Sequence, residues 1–181
     1  MEVFEKLLDP ELYAYFKNAT FYENPVFHTA HKMVDFYIEF ENVIPLEIYE
    51  QIITKLQLSL HAHVKLHMHT KNSVIEMDEL DRYVNFFVEK YSDVKDFRFL
   101  HPYLENDTIC FSTRDESRLA ALNLALPSLM EKLADVGITQ EIVCKKVEDD
   151  IEIETAKVQV AAPVVKQEPV KKQYPSSNSY K

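Results

Sequence analysis

Between residues 33 and 70 the hydrophobic pattern switches from strand spacing to helical spacing and back again. Val34, Phe36, Ile38 and Phe40 alternate with Asp35, Tyr37, Glu39 and Glu41, which predicts a half-buried strand. Residues 42–45 turn the chain, and Pro45 suits a first helical position because its missing N–H would go unpaired there anyway. Ile48, Tyr49, Ile52, Ile53, Leu56 and Leu60 then recur as one apolar stripe, the signature of a helix with one buried side. After Leu60 alternation returns: Ala62, Val64, Leu66 and Met68 face one way, and His61, His63, Lys65, His67 and His69 the other. A helix laid on one face of a sheet supplies the two layers that a single core needs.

Around this unit the pattern is less regular. Residues 2–8 and 10–19 read as short amphipathic helices, with Asp9 and Pro10 marking a start between them. Residues 20–29 predict an irregular strand, because Pro25 suits only an edge or a bulge. Residues 30–32 would join it to the Val34 strand as a hairpin. Beyond a polar loop at 71–76, Asp78 is placed to cap a helix reaching Tyr91 with Leu80, Tyr83, Val84 and Phe87 on its apolar face. Phe97, Phe99, Leu100 and Tyr103 form an aromatic connector without a clear period. Residues 108–112 predict a strand, and Thr113 and Glu116 have capping-box spacing for a helix carrying Leu119, Leu122, Leu126, Leu129, Met130 and Leu133. Pro127 inside that pattern predicts a kink or break near Ala125, and Gly137 a C-terminal stop. A last strand over 138–147 would lie parallel to 108–112 through a right-handed crossover. No internal repeat is visible.

The fold class is therefore α+β, a small mixed sheet with helices on one face, in a body spanning residues 1–147. From Glu148 the composition changes to an acidic run followed by Ala, Val, Pro, Lys, Gln and Ser, which predicts a disordered tail or linker over 148–181. The 181 residues include 20 basic and 30 acidic side chains, a net charge of −10. The body carries almost all of that excess, which argues against a long phosphate-backbone footprint and favours a basic protein partner or plain solubility. Gly137 is the one glycine, so no glycine-rich phosphate loop exists. Two cysteines, no signal peptide and no long apolar run predict a cytoplasmic protein with reduced thiols and no membrane segment.

The sharpest candidate for chemistry is the histidine strand. Residues two apart on a strand lie roughly 6.5–7 Å apart on one face, so the pairs His61/His63 and His67/His69 could each offer imidazoles to a metal. Lys65 separates the pairs and no third ligand is nominated, so an ordinary solvent face is the expected outcome, with no metal and no cofactor. Asp78, Glu79 and Asp81 match what a helix dipole favours in a first turn. Ser112 and Ser117 lack the glycines of a nucleophile elbow, and Cys110 with His101 is a coincidence of composition. No catalytic set emerges.

The run from Val34 to Phe40, the stretch Val43-Ile44-Pro45-Leu46-Glu47-Ile48-Tyr49 and Leu56 resemble the N-terminal region of PolC-type DNA polymerase III. His28, Ile109-Cys110-Phe111, Leu126, Pro127, Leu129 and Gly137-Ile138 extend the resemblance across about residues 1–147. The resemblance implies a domain similar to a type II KH fold and to the C-terminal domain of the clamp-loader τ subunit. It further implies a longer parent enzyme with DNA polymerase and 3′–5′ exonuclease parts, continuing past Lys181. A nucleic-acid-binding KH domain grips its strand with a GXXG loop, which a chain with one glycine cannot build. The expectation is a non-catalytic docking module for a replisome protein: clamp-loader τ, sliding clamp, helicase or primase. A small metal-dependent or acid–base enzyme on the histidine strand, or a direct nucleic-acid binder, is the alternative.

Overall fold

Two three-stranded sheets, each with one antiparallel and one parallel pair, form the α+β framework. The computed structural model describes residues 1–148; the predicted tail from residue 149 on lies outside them. The first half runs α1 (Glu2–Leu7), α2 (Pro10–Tyr13), β1 (Thr20–His28), β2 (Met33–Asn42), α3 (Leu46–Leu60) and β3 (His63–Asn72). The second runs α4 (Met77–Lys90), β4 (Tyr103–Glu105), β5 (Thr108–Thr113), α5 (Glu116–Ala134) and β6 (Ile142–Lys146). The order helix, hairpin, crossover helix, parallel strand thus occurs twice, although no repeat is visible in the sequence. The class stands as expected, with two small mixed sheets where the hydrophobic pattern suggested one.

Alternation in β2 and β3 does what it predicts. Val34, Phe36, Ile38, Phe40, Val64, Leu66 and Met68 are buried on one face. Helix α3 covers that face with Ile52 and Leu56, and the N-terminal turns add Phe4 and Phe16. Phe4 stacks on Phe16 at 5.0 Å and meets Phe36 edge-on at 5.1 Å. Such ring pairs add about 0.5–1.5 kcal/mol beyond their burial. Strand β1 is an edge with register shifts between Phe21 and Glu23 and between Glu23 and Val26, as Pro25 required. The helix expected over residues 10–19 is shorter: α2 ends at Tyr13 and tightens into a 3-10 turn, and Asn18 at φ 64° turns the chain into β1.

The second half departs more from expectation. Helix α4 starts at Met77 after Glu76 rather than at Asp78, and buries Leu80, Tyr83, Val84, Phe87 and Val88. Phe97 closes a short 3-10 segment and packs edge-on against Phe111 at 5.0 Å. Strand β4, unforeseen, joins β5 through Asn106 and Asp107, both at positive φ, the backbone that a tight hairpin demands. The expected capping box is not formed: Asp115 caps α5, accepting from Ser117 N at 3.0 Å, while Thr113 Oγ1 accepts from Asp115 N. Nor does Pro127 break α5, which runs unbroken to Ala134. Pro127 and Asn123, the residue whose carbonyl loses its helical donor, both lie on the exposed side. Strand β6 pairs parallel to β5 as foreseen but begins only at Ile142.

The two halves meet at Gly137. It lies three residues past the end of α5 at φ +87°, and a Cβ there would clash with Thr70 Cγ2. Thr70 Oγ1 donates to Gly137 O at 2.7 Å, and Met68 N to Asp135 O at 2.9 Å. Through the Met68–Val136 bridge, the edge of β3 meets the chain that leads to β6.

Candidate functional site

The outer face of the first sheet gathers the chemistry that the histidine strand promised, in a different arrangement. Tyr37 of β2 stands opposite His67 of β3, and Asp35 opposite Lys65. His28, at the end of β1, donates from Nε2 to Asp35 Oδ2 at 2.7 Å; His67 Nε2 reaches Asp35 Oδ1 at 2.8 Å. The other ring nitrogen of His67 lies 2.9 Å from Asp135 Oδ1, just past α5. An ionised carboxylate only accepts; the protonated ring therefore satisfies both contacts at once, the neutral ring only one. Roofed by two imidazoles, Asp35 is 8 % exposed although it faces outward. Burial alone would raise its carboxyl, but the hydrogen bonds from His67 and His28 prevail and hold it below the usual range.

Aromatic rings extend this network. His67 stacks on Tyr37 with centroids 4.6 Å apart, His69 on Tyr22 at 3.7 Å, and the two tyrosines meet edge-on at 5.9 Å. Burial, then the charges of Asp135 and Asp35, raise the Tyr22 and Tyr37 hydroxyls.

The predicted pairs do not form metal-binding pairs. His61 sits at φ 52° as the C-cap of α3, off the strand, so it shares no strand face with His63. His67 is engaged by two carboxylates and His69 by a tyrosine ring. Among the described residues no group of three or more His, Cys, Asp and Glu side chains is placed to hold a metal. Asp35, His28 and Asp135 are what sequence reading missed as partners. Period-two alternation could have set Asp35 and His67 on one face, but nothing in sequence joins His67 to Asp135.

Beside the β3 edge, a cleft of about 830 Å³ opens between α3, α4 and α5. His63, His67 and Asp135 reach one side of it, and Tyr49, Phe86, Phe87 and Tyr91 form the apolar side. Lys90 lies 5.3 Å from the Phe86 ring centre, and Lys132 lies 4.7 Å from that of Tyr91; burial pushes the Tyr49 hydroxyl up to about 12. Among the described residues no serine or cysteine lines the cleft. Cys110 is buried and Cys144 half-buried, and burial raises both thiols, Cys144 to about 11, the opposite of an activated nucleophile.

The remaining candidates have structural partners. Glu79 accepts from Leu46 N at 2.8 Å, capping α3 from α4, and binds Arg82. Asp81 holds His101, while the Cys110 thiol donates to Thr108 O. No helix of the described residues is long and apolar enough to cross a membrane.

Comparison with known proteins adds one finding. Neither the curated proteins nor the solved structures contain a match. Residues 2–70 match the family model described as DNA polymerase III polC-type N-terminus I. The matched stretch runs from α1 to Thr70 in β3, whereas the resemblance read from the sequence continues through the second sheet. The matched residues are thus similar to the N-terminus of PolC-type DNA polymerase III.

Proposed function

We propose that this chain is a non-catalytic docking module of a bacterial replicative polymerase, joining it to another replisome protein in the cytoplasm. The observation that carries the reading is the family match over residues 2–70. The site geometry supports it. On the outer face His28, His67 and His69 are tied to carboxylates or a ring, and among the described residues no serine or cysteine lines the cleft. The acidic body with its single glycine favours a polypeptide over a nucleic-acid strand. One observation favours an acid–base enzyme instead: His63, His67 and Asp135 do reach a cleft. That cleft is open to water, where a dyad gains little electrostatic leverage.

Size-exclusion chromatography of the full chain with separately purified clamp-loader τ subunit, sliding clamp, helicase and primase tests the proposal. Co-elution with one of them, abolished by no substitution at His63 or His67, is the expected result. Failure of all four to shift the elution volume would refute the docking role.

A further inference from the structure

Opposite in character to the acidic body is a small patch between the 95–99 loop and the first turns of α5. Phe97 points into the core, fully buried, while Phe99 stands 81 % exposed. Between them the chain makes a type II turn. Arg98 has φ −59° and ψ 135°, Phe99 has φ 67°, and Leu100 N donates to Phe97 O at 3.2 Å. The third position of such a turn calls for glycine or asparagine. Every other non-glycine residue at positive φ among the described residues is polar: Asn18, Lys32, His61, Asn106 and Asp107. Phe99 is thus a bulky apolar side chain in a costly conformation, with almost no burial to offset it.

The turn is also held in place. Arg118 of α5 donates from one guanidinium nitrogen to Asp96 O at 3.2 Å and to Arg98 O at 3.1 Å. The Arg98 guanidinium lies 5.8 Å from the Phe99 ring centre. Lys95, Arg98 and Arg118 surround a shallow depression with Asp96 as its one carboxylate, a local positive excess on a chain of net charge −10. Arg98 also reaches exposed Glu89 at 3.3 Å, a pair that a competing carboxylate displaces at small cost. One turn along α5 from Ala121 at the floor of the depression, Leu124 is 83 % exposed and prolongs the apolar strip.

We infer that this patch is a docking site for an acidic protein segment that carries an apolar side chain. The carboxylates meet Lys95, Arg98 and Arg118, and the apolar group covers Phe99 and Leu124. Charge complementarity selects the occupant: a short acidic segment is satisfied by the patch alone. A nucleic-acid strand would extend its phosphates beyond the patch over a chain of net charge −10. The inference rests on the docking reading and names the surface that performs it.

The test is an amide-shift titration of the full chain with a synthetic peptide alternating glutamate and leucine, beside its lysine–leucine counterpart and an oligothymidine. The expected result is movement of the Lys95, Phe99 and Arg118 signals by the acidic peptide alone. Phe99→Gly should weaken that binding at least about tenfold while raising the thermal midpoint, because glycine fits the turn. Binding unaffected by Phe99→Gly, a lowered midpoint in that variant, or oligothymidine moving the same signals would each overturn the inference. So would movement of those signals in Asp149→Lys/Asp150→Lys without any peptide, which would make this chain's own acidic stretch the occupant. If a replisome protein co-elutes equally well with Phe99→Gly, this site fails and the docking role stands. If the peptide binds but no replisome protein does, the reverse holds.

Discussion

The two halves of the molecule share an order of elements and differ in how they are held together. In the first, two ten-residue parallel strands carry strict alternation, and a 15-residue helix lies on their buried face. In the second, the parallel strands have six and five residues, and a 19-residue helix does more of the covering. Long strands must keep one apolar and one polar face along their whole length, so the first half builds an outer face rich in polar and aromatic groups. Short strands leave more of the work to what packs around them: Phe97 on Phe111, Asp115 at the head of α5, and Arg118 on the 95–99 loop. The first half is the part that matches a family; the second carries the strained, exposed turn.

The comparison breaks most visibly if the halves unfold separately. Phe4 and Phe111, each fully buried, belong to one hydrophobic cluster spanning both sheets. Phe4→Ala and Phe111→Ala should each cost about 3–5 kcal/mol and shift one shared transition in chemical denaturation. Two transitions, only one of which moves, would show independent domains.

A smaller effect is expected where the halves clasp. Gly137→Ala adds a methyl group that clashes with Thr70 Cγ2 at a φ of +87°, and should cost on the order of 2–3 kcal/mol. Adding Thr70→Ser removes the clashing methyl and keeps the hydroxyl, so it should restore part of the denaturation midpoint; no recovery would put the whole cost in the backbone.

The Asp35 network comes next. Its folded carboxyl is held below the ordinary value of 3.8. The stability it contributes is therefore present above that pH and lost as pH falls through the lower folded value. Asp35→Asn should cost about 1–2 kcal/mol at neutral pH and flatten the acid limb of a stability profile recorded below pH 4. An unchanged acid limb would mean that the two imidazoles do not hold the charge. Smallest of all, Phe99→Gly should stabilise the fold by about 0.5–1 kcal/mol, measured by the same denaturation.

Legibility in the sequence follows the same division. Val34 to Phe40 and Val64 to Met68 announce their strands because period two is unbroken, and the Ile52–Leu56 stripe fixes the helix between them. Strand β4 has only three residues, too few for any period, and its signal was the Asn106-Asp107 turn. His61 looked like a strand residue because it continues the alternation, yet it ends α3 in a left-handed conformation. Pro127 suggested a break that the exposed side of α5 does not need. His67 and Asp135 stand 68 positions apart, and their bond exists only once the two halves meet. Phe99 gave no warning at all, since its significance lies in a backbone angle.

The central claim is that this molecule recognises a polypeptide, and hydrogen exchange of the full chain tests it most directly. The four replisome proteins would be added one at a time and amide protection compared with that of the chain alone. The account predicts that one of them slows exchange at residues 95–100 and in the first turns of α5. Unchanged exchange with all four, or protection confined to the cleft around His63 and His67, would contradict it.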